Sequence, residues 1–262
     1  MKSIRKALEA LKLLGEPPHE VGVGDVARAL GTTASTASRI LAVLRDGGMV
    51  EQDPATRRYR PGRLAAHLAG GFTRQSDAMA CVQDAMRDLV ATTRHSAWAG
   101  VLRGPDVVVL RIAHGGFPVR FAVEPGRGLP AHAAALGKAL LAQLPDDEVL
   151  RLCGRRLAAV TPRTLRTGRA LLRDLAATRR RGYALSDQEL FAGIRSVAVA
   201  FETATEPRAL ALGLSYPLFS IDRGEEAKLV EALLDQAMIV GRRVGDARWQ
   251  TRTPPTPRAR GG

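Results

Sequence analysis

VGDVARALGTTASTASRILAVLRDGGMVEQDPATRRYR, residues Val23–Arg60, is the stretch on which the reading of this chain turns. Val23, Val26, Ala27 and Leu30 fall at helical spacing and give a first short helix its apolar face. Gly31 then supplies a residue tolerant of positive φ, and Thr32 and Thr33 are placed to cap a second helix. In that next segment Ala37, Ile40, Leu41 and Leu44 form the helix's buried stripe. Its other face carries Ser35, Thr36, Ser38, Arg39 and Ala42: short hydroxyl donors, one methyl and one guanidinium. Such a face lies against base edges and phosphates without steric bulk, so Thr33, Ser35, Thr36, Ser38 and Arg39 are the candidate DNA-reading residues. Gly47-Gly48 ends the helix. Met49–Gln52 and Arg57–Arg60 read as two short strands around the turn Asp53-Pro54-Ala55-Thr56, a wing that carries Arg57 and Arg58 near its tip for the phosphate backbone. An ordinary helical hairpin with solvated polar faces would share the two helices and the glycine turn. The basic hairpin that comes after them in order favours DNA docking.

Outward from this stretch, Ser3–Leu14 predicts a helix with a Ser3 cap and with Ile4, Ala7, Leu8, Leu11 and Leu14 on its packed face. Residues 1–75 hold 12 Lys/Arg against 7 Asp/Glu, part of a formal net charge of +13 over 262 residues. A balance this basic favours polyanions in general and bears on affinity, not on specificity. Cys81 and Cys153 are only two and far apart, and no signal peptide precedes Ser3, which points to a reduced, cytoplasmic protein. No apolar run approaches the ~20 residues that span a bilayer, so no membrane partner is expected.

Pro61-Gly62 breaks the wing, and Gly70-Gly71 is the expected domain boundary. Phe72–Thr92 reads as an amphipathic linker helix whose stripe of Met79, Val82, Met86, Leu89 and Val90 suits a partner helix, hence a homodimer or tetramer. From Ser96 the period shifts. Trp98–Leu102 and Val107–Ala113 flank a hairpin turn, and Phe117–Val123 adds another alternating run. Gly126–Pro130 reads as a loop, Ala135–Leu144, Asp146–Leu152 and Thr167–Arg181 as helices, Val197–Phe201 and Ala209–Ser215 as strands, and Glu225–Val244 as a closing helix. This order predicts an α+β fold, an antiparallel sheet covered by helices. Thr251–Gly262 is Pro/Arg-rich and reads as a disordered tail.

Two further segments carry a family likeness. LPAHAAALGKALLA (Leu129–Ala142) is similar to the LPxHxTAxGKAxLA segment of IclR-type transcriptional regulators, and GYALSDQELFAGIRSVAVA (Gly182–Ala200) to their GYAxDxEExxxGxxCxAxP segment. The resemblance covers roughly residues 3–250. It implies a winged helix-turn-helix over 1–70, a linker helix over 71–92 and a GAF-like effector-binding domain over 93–250. It implies dimers that often pair into tetramers, and a ligand-responsive transcriptional regulator that binds a double-stranded operator, here read as a repressor. It also places the amides of Ala135 and Leu136 and the residues Ser186, Ser196, Gly213 and Ser215 around the effector. Small residues leading into a helix leave free N–H groups, which suits a carboxylate; the alternative is that these alanines only allow close helix–sheet packing. The chain departs from the common pattern at Ala134 (threonine), Ser186 (aspartate), Ser196 (cysteine) and Ala200 (proline), and Gly213 stands where serine is frequent. The pocket is thus hydroxyl-bearing and less acidic.

Other chemistry finds little support. Lys138 lacks the leading glycine and following Ser/Thr of a phosphate loop, the five histidines show no ligand spacing, and no Gly-x-Ser-x-Gly elbow exists, so neither metal nor cofactor is expected. Arg151–Arg181 holds ten Arg against Asp174 alone, which reads as a solvated helix face or as an auxiliary DNA or oligomer contact. An architectural DNA binder without effector, or an enzyme with a DNA-binding appendage, remain the alternatives to a regulator.

Overall fold

The computed structural model describes residues 2–74, 77–116, 123–203 and 208–250, which fall in two compact units, Met1–Gln75 and Ser76–Gly262. The first unit is built from α1 (Lys2–Leu14), α2 (Val23–Ala29), α3 (Ala34–Asp46), the antiparallel pair β1 (Val50–Gln52) and β2 (Tyr59–Pro61), and α4 (Arg63–Arg74). Ala10, Leu14, Val26, Ala37, Leu41, Leu44, Val50 and Tyr59 close one core between them. Gly31 turns the chain between α2 and α3 at φ 55°, and the Thr33 hydroxyl accepts the Thr36 amide as the cap of α3. Two expectations shift. Helix α1 starts at Lys2, so Ser3 lies inside it and does not cap it. Its packed face is Ala7, Ala10, Leu11 and Leu14, a set at i, i+3, i+4 and i+7 that includes the smallest side chain; Ile4 and Leu8 face solvent at 68% and 55% exposure.

The second unit opens with α5 (Asp77–Thr93). A six-stranded sheet follows, in the order β5-β4-β3-β8-β7-β6 with every pairing antiparallel. Its strands are β3 (Ser96–Arg103), β4 (Asp106–Ala113), β5 (Gly128–Pro130), β6 (Ala184–Asp187), β7 (Ile194–Glu202) and β8 (Ala209–Pro217). Between β5 and β6 run α6 (Ala135–Leu141), α7 (Asp146–Cys153) and α8 (Gly168–Arg181); α9 (Arg223–Val244) and α10 (Ala247–Gln250) close the unit. Alternation along the strands gives the sheet two unlike faces. Ala97, Ala99, Val101, Val197, Val199, Phe201, Leu210, Leu212, Leu214 and Tyr216 pack with α5 and α9. On the other face lie Trp98, Ala198, Ala200 and Ala211, packed with α6.

Gly70-Gly71 lie within α4, and the stretch expected as one linker helix divides between α4 and α5, with residues 75–76 outside the described ones. Met79, Val82, Met86 and Leu89 are buried within their own unit, which accounts for the apolar stripe without a partner helix. Gly128–Pro130, expected as loop, pairs with β4 as an edge strand. The run from Phe117 to residue 122, the turn residues 204–207 and the tail from Thr251 lie outside the described residues.

Gly137 and Gly24 give opposite expectations. A Cβ on Gly137 would overlap the backbone of Ala131, while one on Gly24, in α2, would meet open space. Gly137→Ala should therefore destabilise its unit by about 1–3 kcal/mol, and Gly24→Ala should stabilise its unit by about 0.5–1 kcal/mol. Denaturant unfolding of each variant checks both signs.

Candidate DNA-reading helix and ligand pocket

Helix α3 buries Ala37, Leu41 and Leu44, which turns Ser35, Ser38, Arg39 and Ala42 (i, i+3, i+4 and i+7) to its outer side. Ser35, Ser38 and Arg39 are exposed, and Thr36 and Ala42 are half-buried. At the N-terminus the Thr33 Oγ1 lies 3.1 Å from the Ser35 Oγ and 3.0 Å from the Thr36 Oγ1, so the three hydroxyls form one cluster. No ion pair engages Arg39 among the described residues.

The two wing arginines expected at the phosphate backbone behave differently. Asp53 closes the turn by accepting the Ala55 and Thr56 amides, Thr56 first among the contacts that hold its carboxyl below the usual range. Arg57 takes a left-handed φ of 58° and is exposed, so β2 starts two residues later than the sequence suggests. Arg58, expected at the phosphate backbone, turns inward. Its guanidinium donates to the Glu20 carbonyl at 3.1 Å and to the Asp25 carboxylate at 3.0 Å. Asp25 also accepts the Gly22 amide at the start of α2, and that amide, then Arg58, lowers its carboxyl. Arg58 thus ties the wing to α2, and of these two arginines Arg57 is the one left facing outward.

In the second unit a cavity of about 30 Å³ lies between the small-residue face of the sheet and α6. Ala135, Leu136, Ser196, Gly213 and Ser215 all line it, as the sequence predicts. Ser196 and Ser215 are cross-strand partners on β7 and β8, and their hydroxyls meet at 2.7 Å. Helix α6 starts after Ala134 with no side-chain cap, so the amides of its first turn have no acceptor from within the helix. Ser186 does not line the cavity: its hydroxyl donates to the Ala133 carbonyl at 2.6 Å and fixes the turn that enters α6. Strand β6 directs this side chain at that turn, and the short serine reaches no further.

The cavity is small because Leu136 fills it. A Cβ at Gly100 would sit 3.5 Å from one Leu136 methyl, and a Cβ at Gly213 would sit 3.2 Å from the other. The leucine occupies a slot that two glycines on adjacent strands leave open. About 30 Å³ holds water and not an organic molecule. Trp98, Leu129, Leu190 and Phe191 complete the lining and were not singled out from the sequence. The available signal was the apolar pair Leu190-Phe191 inside a polar motif loop.

A buried ionic cluster holds that loop. Lys138 is fully buried, with its Nζ 2.7 Å from Glu189 Oε1 and 3.0 Å from Asp174 Oδ2. Burial pushes the Glu189 carboxyl up, against the pull of Lys138. The hydroxyls of Thr161 and Thr164 donate to the carbonyls of Gln188 and Glu189, each at 2.7 Å. These contacts fix the chain immediately before Leu190 and Phe191. On the far side of the motif, Arg195 bridges Asp187 and Glu226, and Glu226 also accepts the Tyr216 hydroxyl at 2.8 Å. Lys138, set aside as no phosphate-loop lysine, is therefore the buried cation that locks the cavity's cover to α6 and α8.

Comparison with known proteins agrees with this geometry. Residues 72–242 match the family described as bacterial transcriptional regulator IclR C-terminal, and residues 3–54 match the IclR helix-turn-helix domain. The HTH-type transcriptional regulator XynR of Escherichia coli (strain K12) is 30% identical over 246 residues, 94% of this chain and 98% of that protein. The crystal structure of an IclR transcriptional regulator from Alicyclobacillus acidocaldarius is similar at a TM-score of 0.80 with 28% identity, covering 92% of this chain and 98% of that one. An IclR homologue from Microbacterium hydrocarbonoxydans, solved in complex with 4-hydroxybenzoate, shares the fold at a TM-score of 0.77 with 24% identity, covering 93% and 99%. No helix among the described residues is long and apolar enough to cross a membrane. The chain belongs to the IclR family of bacterial transcriptional regulators.

Proposed function

We propose that this regulator reads its operator through Thr33, Ser35, Thr36, Ser38 and Arg39, grips the phosphate backbone with Arg57, and releases DNA when a small carboxylate enters the cavity under α6. It acts without catalysis, as a repressor, in the cytoplasm. The observation that carries the ligand half is that Ala135 and Leu136, at the uncapped start of α6, line one cavity with Ser196 and Ser215. The carboxylate sits against the amides of Ala135 and Leu136, with the two hydroxyls as partners. Trp98, Leu190 and Phe191 supply an apolar wall, so the body of the ligand is a hydrocarbon or an aromatic ring. The 4-hydroxybenzoate held by the Microbacterium protein of the same fold has that chemistry. Ligand entry requires Leu136 to leave its slot between Gly100 and Gly213.

One winged helix reads few base pairs, so tight and specific binding requires two copies on related half-sites. Exposed Ile4 and Leu8, one turn apart on α1, give the first unit an apolar face for that pairing. The reading is tested by selecting an operator from random duplexes and measuring its affinity with and without a panel of metabolic carboxylates. An operator with no dyad, or a panel in which no acid alters DNA affinity, contradicts it.

The arginines separate by role. Arg39→Ala should weaken operator binding by about 1–3 kcal/mol. Arg57→Ala should weaken specific and non-specific duplex alike and flatten the salt dependence. Arg58→Ala should instead lower the stability of the first unit, because it removes the donor that joins the wing to the Glu20 carbonyl and the Asp25 carboxylate and, among the described residues, leaves Asp25 only Arg28 at 3.7 Å. Fluorescence anisotropy at several salt concentrations, beside thermal unfolding, checks all three.

Leu136→Ala should open the cavity, destabilise the unit by about 2–5 kcal/mol, and tighten binding of bulky aromatic carboxylates such as 4-hydroxybenzoate. Ser196→Leu should fill the cavity and abolish the ligand response while operator binding without ligand stays intact. Calorimetric titration of both variants checks the pair, and unchanged affinity in either contradicts the assignment.

A further inference from the structure

The larger cavity of the second unit is not the one under the first turn of α6. A groove of about 640 Å³ lies between α6, α8, the strands β6 and β7, and α10. That volume is in the range of small-molecule sites, whereas the cavity at Leu136 is far below it. Alanine forms much of its lining: Ala139 from α6, Ala142 just past the end of that helix, Ala184 from β6, and Ala198 and Ala200 from β7. Five methyl groups give it a low apolar surface. Tyr183 and Trp249 add aromatic wall, the indole fixed by its donation to the Ala200 carbonyl at 3.3 Å.

The polar groups on the groove are mostly engaged. Arg179 donates to the Ala142 and Leu144 carbonyls and to Asp146, and Arg248 is held by Asp246 and lies 4.0 Å from Glu202, the one acidic lining residue. Two groups are not. Arg180 is exposed and makes no ion pair among the described residues. The Gln143 Nε2 is closed off from solvent and has no hydrogen-bond partner among the described residues, although an amide nitrogen in such a place normally has one. A flat apolar floor, aromatic walls, one unengaged cation and one unsatisfied donor are complementary to a flat molecule with an anionic end.

We propose that this groove is a second ligand site, separate from the cavity at Leu136, that takes a flat aromatic carboxylate with its ring on the alanine floor and its carboxylate between Arg180 and Gln143. The assignment is independent of the effector cavity, since no residue lines both.

The two tryptophans of the chain allow a direct test, because Trp98 lines the cavity and Trp249 the groove. With Trp98→Phe the remaining fluorescence is that of Trp249, and 2-naphthoate absorbs where tryptophan emits. Titration of the full-length Trp98→Phe chain with 2-naphthoate should quench this emission saturably. Arg180→Glu, at an exposed position, should weaken the affinity at least tenfold. Ala142→Leu should do the same by occupying the floor, and Ser196→Leu, in the other cavity, should leave it unchanged. Equilibrium dialysis of 2-naphthoate against the Ser196→Leu chain, whose other cavity is filled, and against the same chain with Arg180→Glu repeats the comparison without the tryptophan substitution. The proposal is overturned if Arg180→Glu binds as tightly as the parent in both measurements, or if Ser196→Leu abolishes the quenching. It is also overturned if Trp249 emission changes with protein concentration alone, which would make the groove a contact between copies.

Discussion

Leu136 seated between Gly100 and Gly213 is the contact on which the second unit depends. It sets how closely α6 approaches the sheet, and it decides how much room is left where the first turn of that helix meets Ser196 and Ser215. Any side chain at either glycine would push against the leucine and against the neighbouring strand: a Cβ at Gly213 would lie 2.7 Å from the Val197 carbonyl, and one at Gly100 would lie 2.8 Å from the Val108 carbonyl. Helix position and sheet composition are therefore one constraint. Gly137, the next residue, meets the same demand against the backbone of Ala131. The structure holds the leucine in its slot, and the ligand response proposed above requires a second arrangement in which a ligand displaces it.

The unlike faces of the sheet extend this logic across the unit. Most residues on the side toward α5 and α9 are large, whereas on the other side Ala198, Ala200, Ala211 and Gly213 leave space on β7 and β8 wherever α6 does not cover them. Near the first turn of α6 that space is taken by Leu136. Past its last turn nothing comparable fills it, and the groove floored by Ala198 and Ala200 results. The cluster of Lys138 with Glu189 and Asp174 anchors the covering loop between these two spaces. Taking all three charges out of water is costly, so the gain from such a cluster is in fixing one arrangement of loop and helix.

Much of this was legible in the residues and some of it was not, for reasons of range. The α3 helix, its Thr33 cap and the Gly31 turn are local features, decided by spacing and φ tolerance within a few positions. The hairpin of β3 and β4 is equally local. Arg58 was misread because the groups that claim it, Glu20 and Asp25, stand 38 and 33 positions away. On α1 the expected stripe holds at Ala7, Leu11 and Leu14 but its edge runs through Ala10 and not through Ile4 and Leu8, a choice that only packing decides. Five of the six residues that the family likeness places around an effector line the cavity; Ser186 does not, since its hydroxyl finds the Ala133 carbonyl first. Leu136 was legible as an apolar wall, but its action as a plug needs Gly100, which no motif marks.

Methyl-labelled leucine gives the most direct test of that plug. In the free chain, nuclear Overhauser contacts should join the Leu136 methyls to the α-protons of Gly100 and Gly213, with Leu136→Ala providing the assignment. A carboxylate that alters operator affinity should erase these contacts at saturation, as the leucine leaves its slot. Contacts that persist in the fully liganded protein would contradict the account, because ligand would then bind without displacing the residue that fills its site.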